Sequence, residues 1–246
     1  MRSAANAVIQ DQSFKIELIM RGVDVDAVAS AISGYFPGAD IDGMKDLDGC
    51  RLVSDHLGRT WDVAAKKMSD ELVAVVTPRL SYEDIDDLLC LVEELKGAGA
   101  GGGNGCGMRC RAFMGGRSDQ SVRNLRNIVT GKSALLESAL RVCFPAQPGE
   151  MDLDADGFVE LLPIEMAPDL DLIEMRACLQ LCCAIAAQAV SQSRASAEVL
   201  RPENERYAFR CWMIRMGLTG SEYKPMRTRF LKRLDGDSSY KGGRPA

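Results

Sequence analysis

The chain has 246 residues and a single histidine, His56, so chemistry built on an imidazole base has one candidate. No apolar run reaches the roughly 18 residues that cross a bilayer. Residues 1–13 lack the basic start and apolar stretch of a secretory signal. These absences point to a cytoplasmic protein with no membrane partner. Zinc-type cysteine spacing is also missing. Cys106 and Cys110 are four apart, as are Cys178 and Cys182, and neither pair has the two-residue gap and second pair of a zinc site, so no metal is expected. The nine cysteines are odd in number, and Cys90, Cys143, Cys178, Cys182, Cys183 and Cys211 lie in apolar segments, which reads as free, buried thiols. The glycine-rich stretch Gly97–Gly107 lacks the Lys-Ser/Thr ending of a phosphate loop and precedes a strand, so it reads as a helix-to-strand connection. There is no internal repeat.

What is present is an ordinary globular composition, 46% hydrophobic and 26% charged, with a net charge of −5. The charge is uneven. Residues 201–246 hold eleven Lys/Arg against five Asp/Glu, a net of +6, on a body of −11. Arg210, Arg215, Arg227, Arg229, Lys232 and Arg233 form a candidate basic surface for nucleic acid or an acidic partner, set against the plainer reading of a solvated helical face.

Phe14–Met20 alternates as a strand, with Phe14, Ile16, Leu18 and Met20 on one face. Asp24 caps a helix running to about Tyr35. Residues 51–54 and 60–63 read as a strand–turn–strand around Asp55 and His56, and Glu71–Thr77 as another strand. Ser81 and Asp84 form a capping box before a helix with Ile85, Leu88, Leu89, Val92 and Leu95 inward. Met108–Phe113 is a strand, Ser118–Val129 and Lys132–Val142 two helices, Pro145–Asp156 a linker, and Phe158–Leu162 a strand. Helices follow at 169–193, 203–216 and 221–234. The expected organisation is a flexible tail at 1–13, one α+β domain over 14–236 with a helical end from about 169, and a tail at 237–246.

Five segments, in order and in register, resemble the amidoligase family, ATP-dependent carboxylate–amine ligases related to glutamine synthetase. Phe14-Lys15-Ile16-Glu17-Leu18-Ile19-Met20 is similar to the family's first strand, FGIEIEM. Gly58-Arg59-Thr60-Trp61-Asp62-Val63 resembles GRKWKV. Val76-Thr77-Pro78 with Tyr82-Glu83-Asp84-Ile85 resembles VSP…YEDI. Cys106-Gly107-Met108-Arg109-Cys110-Arg111 is similar to CGIHVH. Tyr207-Ala208-Phe209-Arg210 to Met216-Gly217, then Glu222-Tyr223-Lys224, resembles the YTFRTWLLRLG…DEFK ending of members carried on mobile genetic elements. The resemblance implies a glutamine-synthetase-like antiparallel or mixed sheet with flanking helices and a helical C-terminal end. It also implies acyl-phosphate chemistry with ATP and Mg²⁺, held by acidic strand positions, histidines and an arginine.

Those positions have changed. Glu17 keeps the first acidic place, but Ile19 stands at the second and Ala74 at the glutamate of ELVSP. Arg109 and Arg111 replace both histidines. Glu160 fits the VEFRLFN strand, while Leu162 stands at its arginine and Glu165 at its asparagine. The family's substrate-side insertion and YYGLN-like strand, expected between Val142 and Phe158, are not found. Aliphatic groups cannot ligate a hard cation, and guanidinium, with its very high pKa, cannot act as a base. The expectation is therefore a catalytically inactive binding protein without cofactor. Arg109 and Arg111 would hold an anionic ligand or a protein partner beside Glu17, or else simply fill the pocket with internal salt bridges. A phage or mobile-element accessory factor acting on a host system is the role the resemblance suggests. The alternatives are an active ligase using Glu17, Glu160 and Glu165 with ATP and Mg²⁺, and a nucleic-acid-binding accessory protein.

Overall fold

The structure, a computed structural model, describes residues 8–42, 49–66, 69–141, 153–165 and 171–237. Its strands are β1 (Ser13–Arg21), β2 (Asp40–Asp42), β3 (Arg51–Ser54), β4 (Thr60–Lys66), β5 (Ser69–Val76), β6 (Leu80–Ser81), β7 (Gly107–Phe113) and β8 (Phe158–Glu165). Its helices are α1 (Val25–Tyr35), α2 (Ile85–Gly97), α3 (Asp119–Leu140), α4 (Leu172–Ser191), α5 (Glu205–Arg215) and α6 (Lys224–Lys232). The sheet runs β2-β3-β4-β5-β1-β7-β8, with β6 also beside β1, and every pairing is antiparallel. The fold is α+β, as expected.

Strand alternation gives the sheet two unlike faces. In β1, Phe14, Ile16, Leu18 and Met20 are at most 2% exposed and form the core face. Helix α4 packs there on β7, β1 and β8, and α1 packs on β3 and β4. Lys15, Glu17, Ile19 and Arg21 point the other way. Helix α4 is apolar on all sides, which marks a helix surrounded by protein. Its 20 residues include an 18-residue window of mean hydropathy 1.3, long and apolar enough to cross a membrane although interrupted by polar residues; 78% of that window is buried in the fold.

The structure departs from expectation in several places. The two helices expected over 118–142 are one helix, α3, because Gly131 serves as a docking point. A Cβ there would lie 2.8 Å from the Ser196 carbonyl oxygen and 3.1 Å from that of Glu198. Asn124 and Asn127 fasten the same segment: the Asn124 amide donates to the Gln192 carbonyl at 2.7 Å, and that of Asn127 to Ala195 at 3.0 Å. The short strands β2 and β6 carry too few residues to show a period. Residues 8–12 are not a tail, since Ile9 is fully buried and Gln12 is 2% exposed. Cys90 is exposed and Cys211 half-buried, while Cys106, Cys110, Cys178, Cys182 and Cys183 are buried and free. Cys143, most of the expected linker at 145–156 and the tail from 238 lie outside the described residues.

The β3–β4 turn is tied by Asp55, which is 3% exposed. Its carboxylate accepts from the Leu57 and Arg59 backbone amides, from Arg59 Nε at 2.8 Å and from Trp61 Nε1 at 3.2 Å. Arg59 continues to Asp84, which closes the capping box with Ser81. Burial alone would raise the Asp55 pKa, but these donors outweigh it and hold the group below its ordinary value; Asp84 is lowered in the same way.

Two predictions follow from this packing. Helix propensity alone favours alanine over glycine by about 1 kcal/mol. Gly131→Ala is nevertheless expected to lower stability in urea unfolding by about 1–3 kcal/mol, because its methyl meets fixed backbone carbonyls. Asp55 and Asp84, being depressed, contribute stability that is present above the unfolded carboxylate pKa of about 3.9 and lost as pH falls through their folded values. Thermal unfolding measured from pH 6 downward should show an acid limb starting near pH 4 that flattens in Asp55→Asn.

Candidate functional site

The face of the sheet opposite the helices carries a cleft of about 510 Å³. Register places its residues in rows across the strands. Asp62 lies opposite Val76, Val76 opposite Glu17, and Glu17 opposite Arg109. In the next row Ala64 faces Ala74, Ala74 faces Ile19, and Ile19 faces Gly107. The first row is charged and the second is small and apolar, so the cleft has a polar flank and an aliphatic floor.

Glu17 is only 7% exposed. Its Oε1 makes a close ion pair with Lys66. Its Oε2 lies 3.6 Å from Arg109 Nη1 and 4.0 Å from Arg111 Nη2. The expected pairing of Glu17 with Arg109 or Arg111 is present, and with both of them, and Lys66 was missed. Lys66 was legible in principle, because Trp61 and Val63 point into the core and alternation puts Asp62, Ala64 and Lys66 on the open face. A register shift between Cys110 and Arg111 sets Arg111 opposite Glu160, whose Oε2 lies 3.9 Å from Arg111 Nε. Glu165 pairs through its backbone with Gly107, and its side chain lies outside what the structure describes.

The arginine contacts are long. At 3.6–4.0 Å they are ion pairs without hydrogen bonds, and among the described residues neither guanidinium donates a hydrogen bond to any group. Arg109 is also about half exposed. Arg109 thus presents its forked donors to the cleft, with Arg111 beside it on the same strand face, both drawn to Glu17 without a hydrogen bond to it.

The donor set does not fit magnesium nucleotide. Mg²⁺ asks for several oxygen ligands in near-octahedral array. Ile19 and Ala74, at two positions where the family resemblance calls for acids, stand directly opposite each other and offer none. Both oxygens of Glu17 face cations. Each unit charge within about 4 Å would repel a divalent ion by about 2 kcal/mol even in a water-like dielectric. Among the described residues no group of three or more His, Cys, Asp or Glu side chains gathers.

The other sequence candidates lie elsewhere. The glycine-rich connection joins α2 to β7 along the cleft rim, bridged to Arg21 at Gly101, with Gly105 lining the cleft. His56 is exposed on its turn, 5.8 Å from the Phe36 ring and apart from the site. The buried thiols of Cys110, Cys178, Cys182 and Cys183 are pushed up by burial, that of Cys183 to about 12, and are inert as nucleophiles.

The basic helical end is used largely inside the fold. Arg229 Nη1 donates to Glu174 at 3.0 Å and pairs with Asp171. Arg233 donates to both oxygens of Glu174 at 2.8 Å and to the Ala139 carbonyl at 3.0 Å. Arg227 donates to the carbonyls of Leu218 and Gly220 at 2.9 Å. These three therefore do not belong to an open basic surface; Arg210, Arg215 and Lys232 are exposed.

No protein-family model, curated protein or solved structure matches the chain.

Arg229→Ala leaves the nearly buried Glu174 with one of its two cations. It is expected to lower stability by about 1–3 kcal/mol in urea unfolding, after discounting for the partial exposure of the pair. A purely solvated arginine would change stability by less than about 0.5 kcal/mol.

Proposed function

We propose that the chain is a cytoplasmic ligand-binding protein on an amidoligase-like, glutamine-synthetase-type scaffold, holding the oxyanion of a carboxylate or phosphate between Arg109 and Arg111 without carrying out ATP-dependent ligation. The observation that carries this is a pair of guanidinium forks, Arg109 lining the cleft and Arg111 beside it, with no hydrogen bond among the described residues, both drawn to a Glu17 that three cations neutralise. Guanidinium geometry matches carboxylate and phosphate by paired N–H donors, and its weak hydration lowers the cost of binding there.

Two further observations support binding over turnover. The open sheet with a concave, partly apolar face has the shape of a small-molecule site. The aliphatic pair Ile19 and Ala74 occupies the place where a cation cage would need oxygen. The nucleic-acid alternative loses much of its footing, since Arg227, Arg229 and Arg233 are consumed by internal contacts. A role as a phage or mobile-element accessory factor rests on the family resemblance alone.

Calorimetric titration with inorganic phosphate and with caproate is the direct test. Binding should be measurable and should weaken about tenfold in Arg109→Ala and again in Arg111→Ala. A parallel assay follows ADP release from ATP and Mg²⁺ with candidate amines. Turnover that disappears in Glu17→Gln would overturn the binding reading in favour of a ligase with a rearranged site.

A further inference from the structure

The charged row has a second end. Asp62 lines the same cleft as Arg109, in line with it across β5 and β1. Its only partner among the described residues is the Cys50 thiol, which donates to Oδ1 at 2.9 Å. A thiol is neutral, so the carboxylate charge has no cation against it among those residues. Lys66, four residues along the same strand, is turned to Glu17 instead. A half-buried carboxylate without a counter-charge is an unsatisfied cation site.

The cleft therefore has a carboxylate with no counter-charge among the described residues at one end and, at the other, guanidinium charge in excess of the one carboxylate that three cations share, with Ile19, Ala64 and Ala74 as an aliphatic floor beside them. Three strand spacings separate Asp62 from Arg109, or about 14 Å between Cα atoms. Side chains reaching in from both sides shorten that to the span of a short aliphatic chain. Glu17, midway along the row, is already neutralised by three cations and adds no competing demand.

We infer that the ligand is bipolar: an aliphatic molecule with its anionic group at Arg109 and Arg111 and a protonated amine at Asp62. This deepens the oxyanion-binding reading and rests on it. Burial of both charged ends against matched partners, with methylenes over the alanine floor, gives such a molecule an advantage over one with either end alone.

Isothermal titration of the wild-type chain with ε-aminocaproate, caproate and hexylamine separates the two levels of the argument. The expected result is ε-aminocaproate binding about tenfold or more tighter than caproate at low salt. Asp62→Asn should erase that difference by weakening ε-aminocaproate about tenfold or more, and Asp62→Glu should keep it. Circular dichroism and the melting temperature of each variant establish that it is folded. Equal affinity of wild type for ε-aminocaproate and caproate would overturn the bipolar ligand while leaving the oxyanion site intact. Failure of both caproate and phosphate to bind wild type would remove the oxyanion site and the bipolar ligand with it.

Discussion

A carboxylate at the middle of the central strand must be neutralised, and the arrangement of the open face follows from how Glu17 meets that requirement. It sits on β1, between β5 and β7, and is almost wholly shielded from water. Desolvating a lone carboxylate there would be prohibitive. Arg109 and Arg111 supply charge from β7, and Lys66 reaches across from β4. Because one carboxylate is shared by three cations, none of the arginine contacts closes to hydrogen-bond distance. Neutralisation and free donor capacity thus come from the same geometry.

The same constraint governs what chemistry the cleft supports. An oxygen cage for a hard cation would need further acids beside Glu17, and the adjacent positions are Ile19 and Ala74. Placing guanidinium groups there reverses the local field. Such a field favours an oxyanion over a divalent ion, since the sign of the nearest charges decides which ligand gains on leaving water. Under the oxyanion-binding proposal, the aliphatic floor would add a non-directional contribution that only a ligand with apolar surface could use.

The sheet and its face were legible in the sequence because they depend on a period of two. Phe14, Ile16, Leu18 and Met20 announce the core side, and so Glu17 with Arg109 and Arg111 fall together without knowledge of the loops. Lys66 follows the same rule but lies past the part of β4 whose residues resemble a known motif, and so it escaped notice. The helix break expected between Val129 and Lys132 is absent from α3, where Gly131 packs against the Ser196 backbone, distant in sequence but touching it in space. Strands of two and three residues leave no period to detect. The bulge that sets Arg111 opposite Glu160 depends on pairing geometry and has no sequence counterpart.

The charge asymmetry of the sequence shows why composition cannot place a binding surface. A net of +6 in the last 46 residues against −11 before them invites the picture of a basic arm on an acidic body. In the fold the two meet. Asp171, the N-cap of α4, and Glu174 in its first turn receive Arg229 and Arg233, so part of the asymmetry is cancelled inside the molecule. Acids at a helix N-terminus also answer the positive end of its dipole, which gives those carboxylates a structural reason to be there. The cleft is the opposite case. Its charges nearly balance by count, yet Asp62 and Arg109 stand too far apart to answer each other. Unmet charge at a binding surface is a matter of distance between groups, and it is the balanced cleft, not the unbalanced helical end, that leaves charge for a ligand to meet.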